Sequence, residues 1–508
     1  MKVIIGSLNH SFAGAFALMA AGEVFGQVEV TRGPYLQSGT PTSVVVRWRT
    51  DVPTSSWVWY WSDPNSMTMK WNVNAAIEHE LQLTGLSPDT RYSYAVGDVG
   101  GMLASGDDYF FVTAPDGPKP TRIWVLGDSG TANANAAAVR DAYEGFAASR
   151  HTDIWMMLGD NAYGSGTDQQ YQNAVFNMYP AMLRKSVLWP TIGNHETYSF
   201  EEPMPYLSIF TLPTAGEAGG VPSGTESYYS FNYGNIHFVC LDSMTQERSS
   251  TGPMAAWLEQ DLAANTNDWV IAYWHHPPYT KGSHDSDDPF GFDYELVEMR
   301  ENLVPILESY GVDLVLCGHS HSYERSYLLN GHYGYSSEIA SKPELILNSG
   351  SGRINESGPY VKPAVASTNQ GTIYIVAGSS GQTSGGTLDH PAMFISLNQL
   401  GSLVLDIDGD RLDARFLESD GVVSDYFTIL KGDEFRITSL AVEPNLVTIT
   451  WRSQPGQMYY VDFKAGLTDA SWTPVSGGII AQGTQASWTG LRAPNAGSAF
   501  YRVVKLGD

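Results

Sequence analysis

Cysteine is almost absent from this chain: Cys240 and Cys317 are the only two in 508 residues, and both sit inside apolar runs. That usage excludes a disulfide framework, and both side chains read as buried free thiols. Positive charge is scarce too, with 28 Lys and Arg against 54 Asp and Glu and a formal charge of −26. A nucleic acid or an anionic membrane surface is repelled by such a chain except where bound cations reverse the local field. Small anionic substrates remain accessible through metal. Past the N-terminus, no segment carries the roughly 18 uninterrupted apolar residues of a membrane span. The N-terminus itself, with Lys2 and an apolar stretch through Phe16, Leu18, Met19 and Ala21, reads as a secretory signal over residues 1–26. It predicts a soluble protein, secreted or periplasmic.

Apolar and aromatic residues are plentiful, at 43% and 12%, and 508 residues exceed a single hydrophobic core. Over residues 27–117 apolar and polar positions alternate, as in Ser43-Val44-Val45-Val46-Arg47-Trp48-Arg49, with Pro and Gly between runs. This is the pattern of a β-sandwich. Leu86-Ser87-Pro88-Asp89-Thr90-Arg91-Tyr92 is similar to the tyrosine corner of fibronectin type III modules.

Strands alternate with helices over residues 118–431, predicting two sheets flanked by helices. Met254, Trp257, Leu258 and Leu262 share one helical face, as do Leu296, Met299, Leu303, Ile306, Leu307 and Tyr310, where Pro305 predicts a kink. Residues 432–508 return to short strand-like runs and read as a small terminal β-sandwich. Its roles are a stability or spacer module, or contact with carbohydrate or a cell surface through Trp472.

Five polar clusters, each directly after an apolar run, carry the chemistry. They are Gly127-Asp128-Ser129-Gly130, Gly159-Asp160-Asn161-Ala162-Tyr163, Gly193-Asn194-His195-Glu196, His275-His276-Pro277-Pro278 and Gly318-His319-Ser320-His321. Singly, each is an ordinary turn or loop. Together they predict two Asp, one Tyr, one Asn and three His converging at the carboxyl ends of one sheet, as in a dinuclear metal site. A carboxylate bridges two cations with its two oxygens, and Asp160 is the candidate bridge; Asn offers a carbonyl oxygen and neutral imidazole a nitrogen. His319 and His321 alternate along an extended segment, so each can serve one of two adjacent cations. Tyr163 narrows the metal: a phenol with a pKa near 10 ligates at neutral pH only when a strongly acidic cation displaces its proton, and trivalent iron does so far better than zinc or magnesium.

Taken in order, these clusters resemble those of the purple acid phosphatases within the metallophosphoesterase superfamily, over roughly residues 28–430. Most metallophosphoesterases have a His two residues after the first Asp; here that place is Gly130, and Tyr163 stands as the compensating ligand. The resemblance implies a four-layer αββα sandwich flanked by an N-terminal and a C-terminal β-sandwich. It assigns Asp128, Asp160, Tyr163 and His321 to a ferric ion, and Asp160, Asn194, His275 and His319 to a divalent partner, Zn, Fe or Mn. In the fourth cluster it aligns His275, not His276, with the ligand. His195 aligns with a substrate-facing His and His284 with an outer-pocket His, whose usual His neighbour is here Asp285.

The implied activity is hydrolysis of small phosphate monoesters by a metal-activated hydroxide, with an acidic optimum. Two alternatives are a phosphodiesterase or nucleotide pyrophosphatase on the same metals, and a non-catalytic surface-adhesion protein. Gly378-Ser379-Ser380-Gly381 lacks the Lys and the helix of a nucleotide loop and reads as a turn, while Glu324 and Arg325 read as structural or as support for the ligand loop.

Overall fold

The structure, a computed structural model, describes residues 28–506 except 289–292, 365, 433–436, 454–455, 467, 484 and 493–498. The secretory signal expected over residues 1–26 lies outside the described residues.

At the N-terminal end, two long strands, Ser43–Trp61 and Thr68–Thr84, pair antiparallel from Ser43 opposite Thr84 to Tyr60 opposite Thr68. The first half of Ser43–Trp61 also pairs with Val30–Gln37 and the second half with Arg91–Asp98. One strand, its register broken between Arg49 and Ser56, therefore links the layers of this sandwich. Alternate residues close a core that contains Leu36, Val46, Trp48, Val58, Leu83, Tyr94 and Phe111. The Tyr92 hydroxyl accepts a hydrogen bond from the Ser87 N–H at 3.0 Å, tying the corner back to upstream backbone.

Two seven-stranded mixed sheets follow. In the first, Thr121–Leu126, Ile154–Met157 and Val187–Pro190 run parallel, and Gly401–Asp408 joins Thr121–Leu126 antiparallel. In the second, Ile236–Cys240, Trp269–Tyr273, Leu314–Cys317 and Ile373–Ala377 run parallel. Because side chains alternate along a strand, the second sheet sorts its residues into two cores. Ile271, Tyr273, Leu314, Leu316, Ile373 and Ile375 pack with the first sheet. Val270, Ala272, Val315, Cys317, Tyr374 and Val376 pack with the helices outside. Both faces of these strands are covered, which is why they read as unbroken apolar runs rather than alternating ones.

Helices complete the outer layers. Asn133 caps Ala134–Ala147 by accepting from the N–H groups of Asn135 and Ala136, and the buried Val139 and Tyr143 face the first sheet, where Tyr143 stacks on Trp124 at 4.2 Å. On the other side Pro253–Ala264 buries Met254, Trp257, Leu258 and Leu262. The helix expected through Leu296 and Leu307 forms, and Pro305 acts one turn upstream of its own position. Proline lacks an N–H to donate, and the backbone widens to π-type bonding over Met299–Leu303 between regular turns at Tyr294–Glu298 and Val304–Ser309. The result is a four-layer αββα sandwich flanked by β-sandwich regions at both ends. Cys240 and Cys317 are buried free thiols. Burial pushes the Cys240 thiol up to about 12.

At the C-terminal end, Ile437–Val442, Leu446–Arg452 and Gln485–Leu491 form one sheet, while Met458–Lys464 pairs with Phe500–Lys505 in another. Val447, Ile449, Trp451, Tyr459, Val461 and Val503 meet between them.

Three ion pairs, centred on two carboxylates, fasten these parts. Arg325, on Tyr323–Ser326 of the second sheet, donates to both oxygens of Asp425, on Val423–Lys431 of the first, at 2.6 and 2.9 Å. Both side chains are fully buried, the setting in which removing one partner costs most, about 3–5 kcal/mol. At the N-terminal sandwich, Asp168 accepts from Arg32 at 2.9 and 3.0 Å and from Arg49 at 2.7 Å on each oxygen. Burial alone raises its pKa, but Arg49 and Arg32 outweigh that and hold it at about 2. A carboxyl depressed below its unfolded value of about 3.9 lends stability that is fully present above that value and is lost as pH falls through about 2. Asp168→Asn is therefore expected to lower the thermal midpoint at pH 7, with the gap to wild type closing between about pH 4 and pH 2. Melting curves across that range check this, and a gap that does not change with pH assigns the stability to contacts other than the charge.

Candidate metal centre

Asp128, Asp160 and Asn194 follow Thr121–Leu126, Ile154–Met157 and Val187–Pro190 in the first sheet, whereas His275 and the His319–His321 pair follow Trp269–Tyr273 and Leu314–Cys317 in the second. The sequence expectation of a single sheet is corrected here. Buried parallel strands in either sheet carry the same apolar signature, so the runs locate strand ends without saying which strands are neighbours. What gathers the clusters is the face-to-face packing of both sheets.

The backbone is held in unusual conformations at this junction. Asp128, Asp160 and His319 have φ of 56°, 52° and 65°, a region costly to residues with a side chain and concentrated at functional sites. The segments also touch. A Cβ on Gly130 would lie 2.4 Å from the Ala162 nitrogen and 2.5 Å from the Asp160 oxygen, and one on Gly159 would lie 2.6 Å from His275 Nδ1. Gly130 N–H donates to the Asp160 carbonyl at 3.1 Å, and the Tyr163 N–H donates to the Gly130 carbonyl at 2.9 Å. A histidine at position 130 has no room beside this backbone, and the same contact carries Tyr163 into the centre.

The side-chain donors fall into two sets. In one, Tyr163 Oη lies 3.1 Å from Asp128 Oδ1 and 3.2 Å from His321 Nε2, and the last two are 3.6 Å apart. In the other, Asn194 Oδ1 lies 3.0 Å from His275 Nε2 and 3.1 Å from His319 Nδ1, with 3.3 Å between those nitrogens and 3.4 Å from His275 Nε2 to Asp160 Oδ1. Metal–donor bonds of about 2.1 Å place adjacent donors about 3.0 Å apart in octahedral and about 3.4 Å apart in tetrahedral geometry. Both sets therefore fit a cation. None of the three ion pairs made by the two carboxylates among the described residues involves Lys or Arg.

The electrostatics ask for positive charge. Asp128 and Asp160 are almost wholly buried, at 0% and 2% exposure. Burial, with Asp160 close by, pushes Asp128 well above the usual carboxyl range. Burial lowers His275, yet the two carboxylates outweigh it and hold the imidazole at about 10. Burial lowers His319 to about 3 and His321 to about 4, keeping both neutral, the form in which an imidazole can ligate a cation. The Tyr163 phenol is pushed well above its ordinary value by burial and by Asp128, so only a strongly acidic cation displaces its proton.

Each imidazole is oriented by its other nitrogen or by its neighbours. His275 Nδ1 bonds the Leu158 carbonyl at 2.8 Å and His321 Nδ1 bonds Ser384 Oγ at 2.8 Å. His276, the neighbour that competes with His275, has its Nδ1 2.8 Å from Ser243 Oγ instead. On the rim, His195 Nδ1 bonds the Gly164 carbonyl at 2.7 Å, and its Nε2 lies 3.8 Å from Asp160 Oδ2. His284 lies against His319 with ring centres 3.8 Å apart. Asp285 turns away and accepts from the Asp287 N–H at 2.9 Å.

Sequence reasoning assigned no role to Glu196. Its buried carboxylate accepts from the N–H groups of Gly193, Asp160 and Asn161 at 2.7, 2.9 and 2.8 Å and locks two of the clusters together. Burial and Asp160 raise it to about 7. Its place inside the Gly-Asn-His-Glu cluster was the only signal. Gln382, whose Nε2 is 3.2 Å from His321 Nε2, gave none.

Glu324 does not pair with Arg325. It accepts from Thr280 and Ser322 at 2.5 and 3.0 Å, under the ligand loop. Ser380 Oγ donates to the Gly401 carbonyl at 2.9 Å, so the Gly378–Gly381 stretch is a packed turn. Far from this centre, the Trp472 ring lies 5.0 Å from Lys464 Nζ and 4.7 Å from the Arg502 guanidinium.

Comparison with known proteins agrees with this geometry. The family described as "Calcineurin-like phosphoesterase" matches residues 121–323, and "Purple acid Phosphatase, N-terminal domain" matches residues 32–113. The chain is 28% identical over 316 residues to purple acid phosphatase 15 of Arabidopsis thaliana, which is 56% of this chain and 55% of that protein. It is 28% identical over 367 residues to purple acid phosphatase 23 of the same plant, 59% of this chain and 75% of that protein. The first match thus spans about half of the relative's length. Among solved structures, the purple acid phosphatase PPD1 from yellow lupin seeds shares the fold with a TM-score of 0.60 at 19% identity, over 79% of this chain and 75% of that one. Both regions are matched in order around the ring of donors: the chain carries a calcineurin-like phosphoesterase domain behind a purple acid phosphatase N-terminal domain and is similar to purple acid phosphatases across both.

Proposed function

We propose that this protein hydrolyses small phosphate monoesters at an Fe(III)–M(II) pair, with M being Zn, Fe or Mn. The observation that carries this reading is the two donor sets, whose edges of 3.0–3.6 Å match the coordination shell of a cation. Asp128, Tyr163 and His321 would hold the ferric ion and Asn194, His275 and His319 the divalent ion, with Asp160 available to both. The chain divides into a secretory signal at 1–26, a fibronectin type III-like sandwich at 27–117, a catalytic domain at 118–431 and a C-terminal sandwich at 432–508, and it acts outside the cytoplasm. When bound, the cations polarise a phosphoryl oxygen and lower the pKa of water.

The chain's own side chains do the rest. Its bond to the Gly164 carbonyl fixes the His195 ring, which keeps 30% of its side-chain surface open. In the imidazolium form, Nε2 donates a hydrogen bond to a phosphoryl oxygen or to the departing alkoxide. His284 stands by His319 and serves the leaving group from there. Tyr163, edge-on to His195 at 4.5 Å, limits that ring's travel.

Metal analysis with visible spectroscopy tests the centre. Wild type is expected to hold iron and to show a broad phenolate band that Tyr163→Phe abolishes; a colourless, zinc-only wild type overturns the ferric assignment. His195→Ala is expected to lower kcat on alkyl phosphates by about 10²–10⁴-fold, and by less on aryl phosphates, whose leaving oxygen needs no proton. Turnover of an aryl monoester is expected to exceed that of the matching diester. The reverse order reassigns the protein as a phosphodiesterase.

A further inference from the structure

Asp293 stands at the start of the helix that begins with Tyr294–Glu298, a position where an Asp ordinarily accepts from the first backbone N–H groups. It makes no such bond. Its carboxylate instead takes His284 Nδ1 on Oδ2 at 2.5 Å and faces His319 Nε2 with Oδ1 at 3.4 Å. The three donor atoms of His284, Asp293 and His319 lie within 4.8 Å of one another.

The His319 ring explains why a carboxylate belongs there. Its Nδ1 points to Asn194 and His275, so a cation bound at that edge leaves the proton on Nε2. That Nε2 is buried and has no hydrogen-bond partner, and Asp293 Oδ1 is the carboxylate oxygen facing it. The gap exceeds the about 2.7–2.9 Å of a charge-assisted hydrogen bond, so loading the Nδ1 edge draws the two together. The ring is also boxed in by His276 and His284, with centres 4.3 and 3.8 Å away, and this box aims Nε2 at Asp293.

We infer that Asp293 is a positioning residue: one carboxylate that orients His319 toward the divalent ion and fixes His284 through Nδ1, so that Nε2 is the nitrogen left to carry a proton to the leaving group. This rests on the metal-centre reading above. The sequence pattern does not anticipate it, since Asp285, at the usual outer histidine place, accepts from the Asp287 N–H within its own turn. Carboxylate partners of metal-bound imidazoles typically contribute about 10–100-fold in metal affinity.

The test is a Zn(II) competition titration of the iron-loaded protein, comparing wild type with Asp293→Asn and Asp293→Ser, two residues that still cap a helix and so favour folding. Both are expected to weaken the divalent site by about 10–100-fold, leave the visible band unchanged, and recover toward wild type in Asp293→Glu. Unchanged Zn(II) affinity in either folded variant overturns the inference while the metal centre stands. A third bound cation in wild type that both variants lose also overturns it, because the triad is then itself a metal site. A wild type that takes up neither iron nor a divalent ion overturns both readings together.

Discussion

Two carboxylates, Asp128 and Asp160, are buried side by side where the loops of two sheets meet, and the rest of the site is an answer to that fact. Uncompensated buried charge is among the most costly things a fold can contain. Among the described residues the chain keeps the pair in place with backbone N–H groups and neighbouring imidazoles rather than with Lys or Arg. Asp128 Oδ2 accepts from the His319 N–H at 2.7 Å, and Asp160 Oδ1 accepts from the His195 N–H at 3.0 Å. Left-handed backbone at both residues and at His319 adds strain of order 1–3 kcal/mol each. A structure maintains such features only when surrounding packing over-determines them, and here the αββα layers do so. The Arg325–Asp425 pair fastens the strand that follows His321 to the opposite sheet.

Much of this was legible in the sequence, for a definite reason. Strands buried on both faces appear as uninterrupted apolar runs, and polar residues placed immediately after such runs have nowhere to go but the strand ends. Asp128, Asp160, Asn194, His275 and His319 were found that way. The choice of sheet was not legible, because Leu314–Cys317 and Ile154–Met157 carry the same signature. The π-type turn before Pro305 was half legible: proline announces a disturbance but not how the preceding turns absorb it.

Supporting residues were the least legible. Glu196 earns its place by accepting three backbone N–H groups, Gln382 and Ser384 by reaching His321, and Asp293 by declining to cap its own helix. Each of these roles depends on a contact between distant segments, which no local pattern encodes. The N-terminal sandwich offers the same lesson. Its tyrosine corner was visible as a short motif, whereas the clasp of Arg32 and Arg49 on Asp168 joins residues more than a hundred positions apart.

The contact between Gly130 and the Asp160–Ala162 backbone makes two positions interdependent. Any side chain at 130 needs space that the loop leading to Tyr163 now fills, so a variant that adds one there has to displace that loop, and Tyr163 with it, whatever the chemistry of the added group. The two places therefore accept change jointly rather than singly.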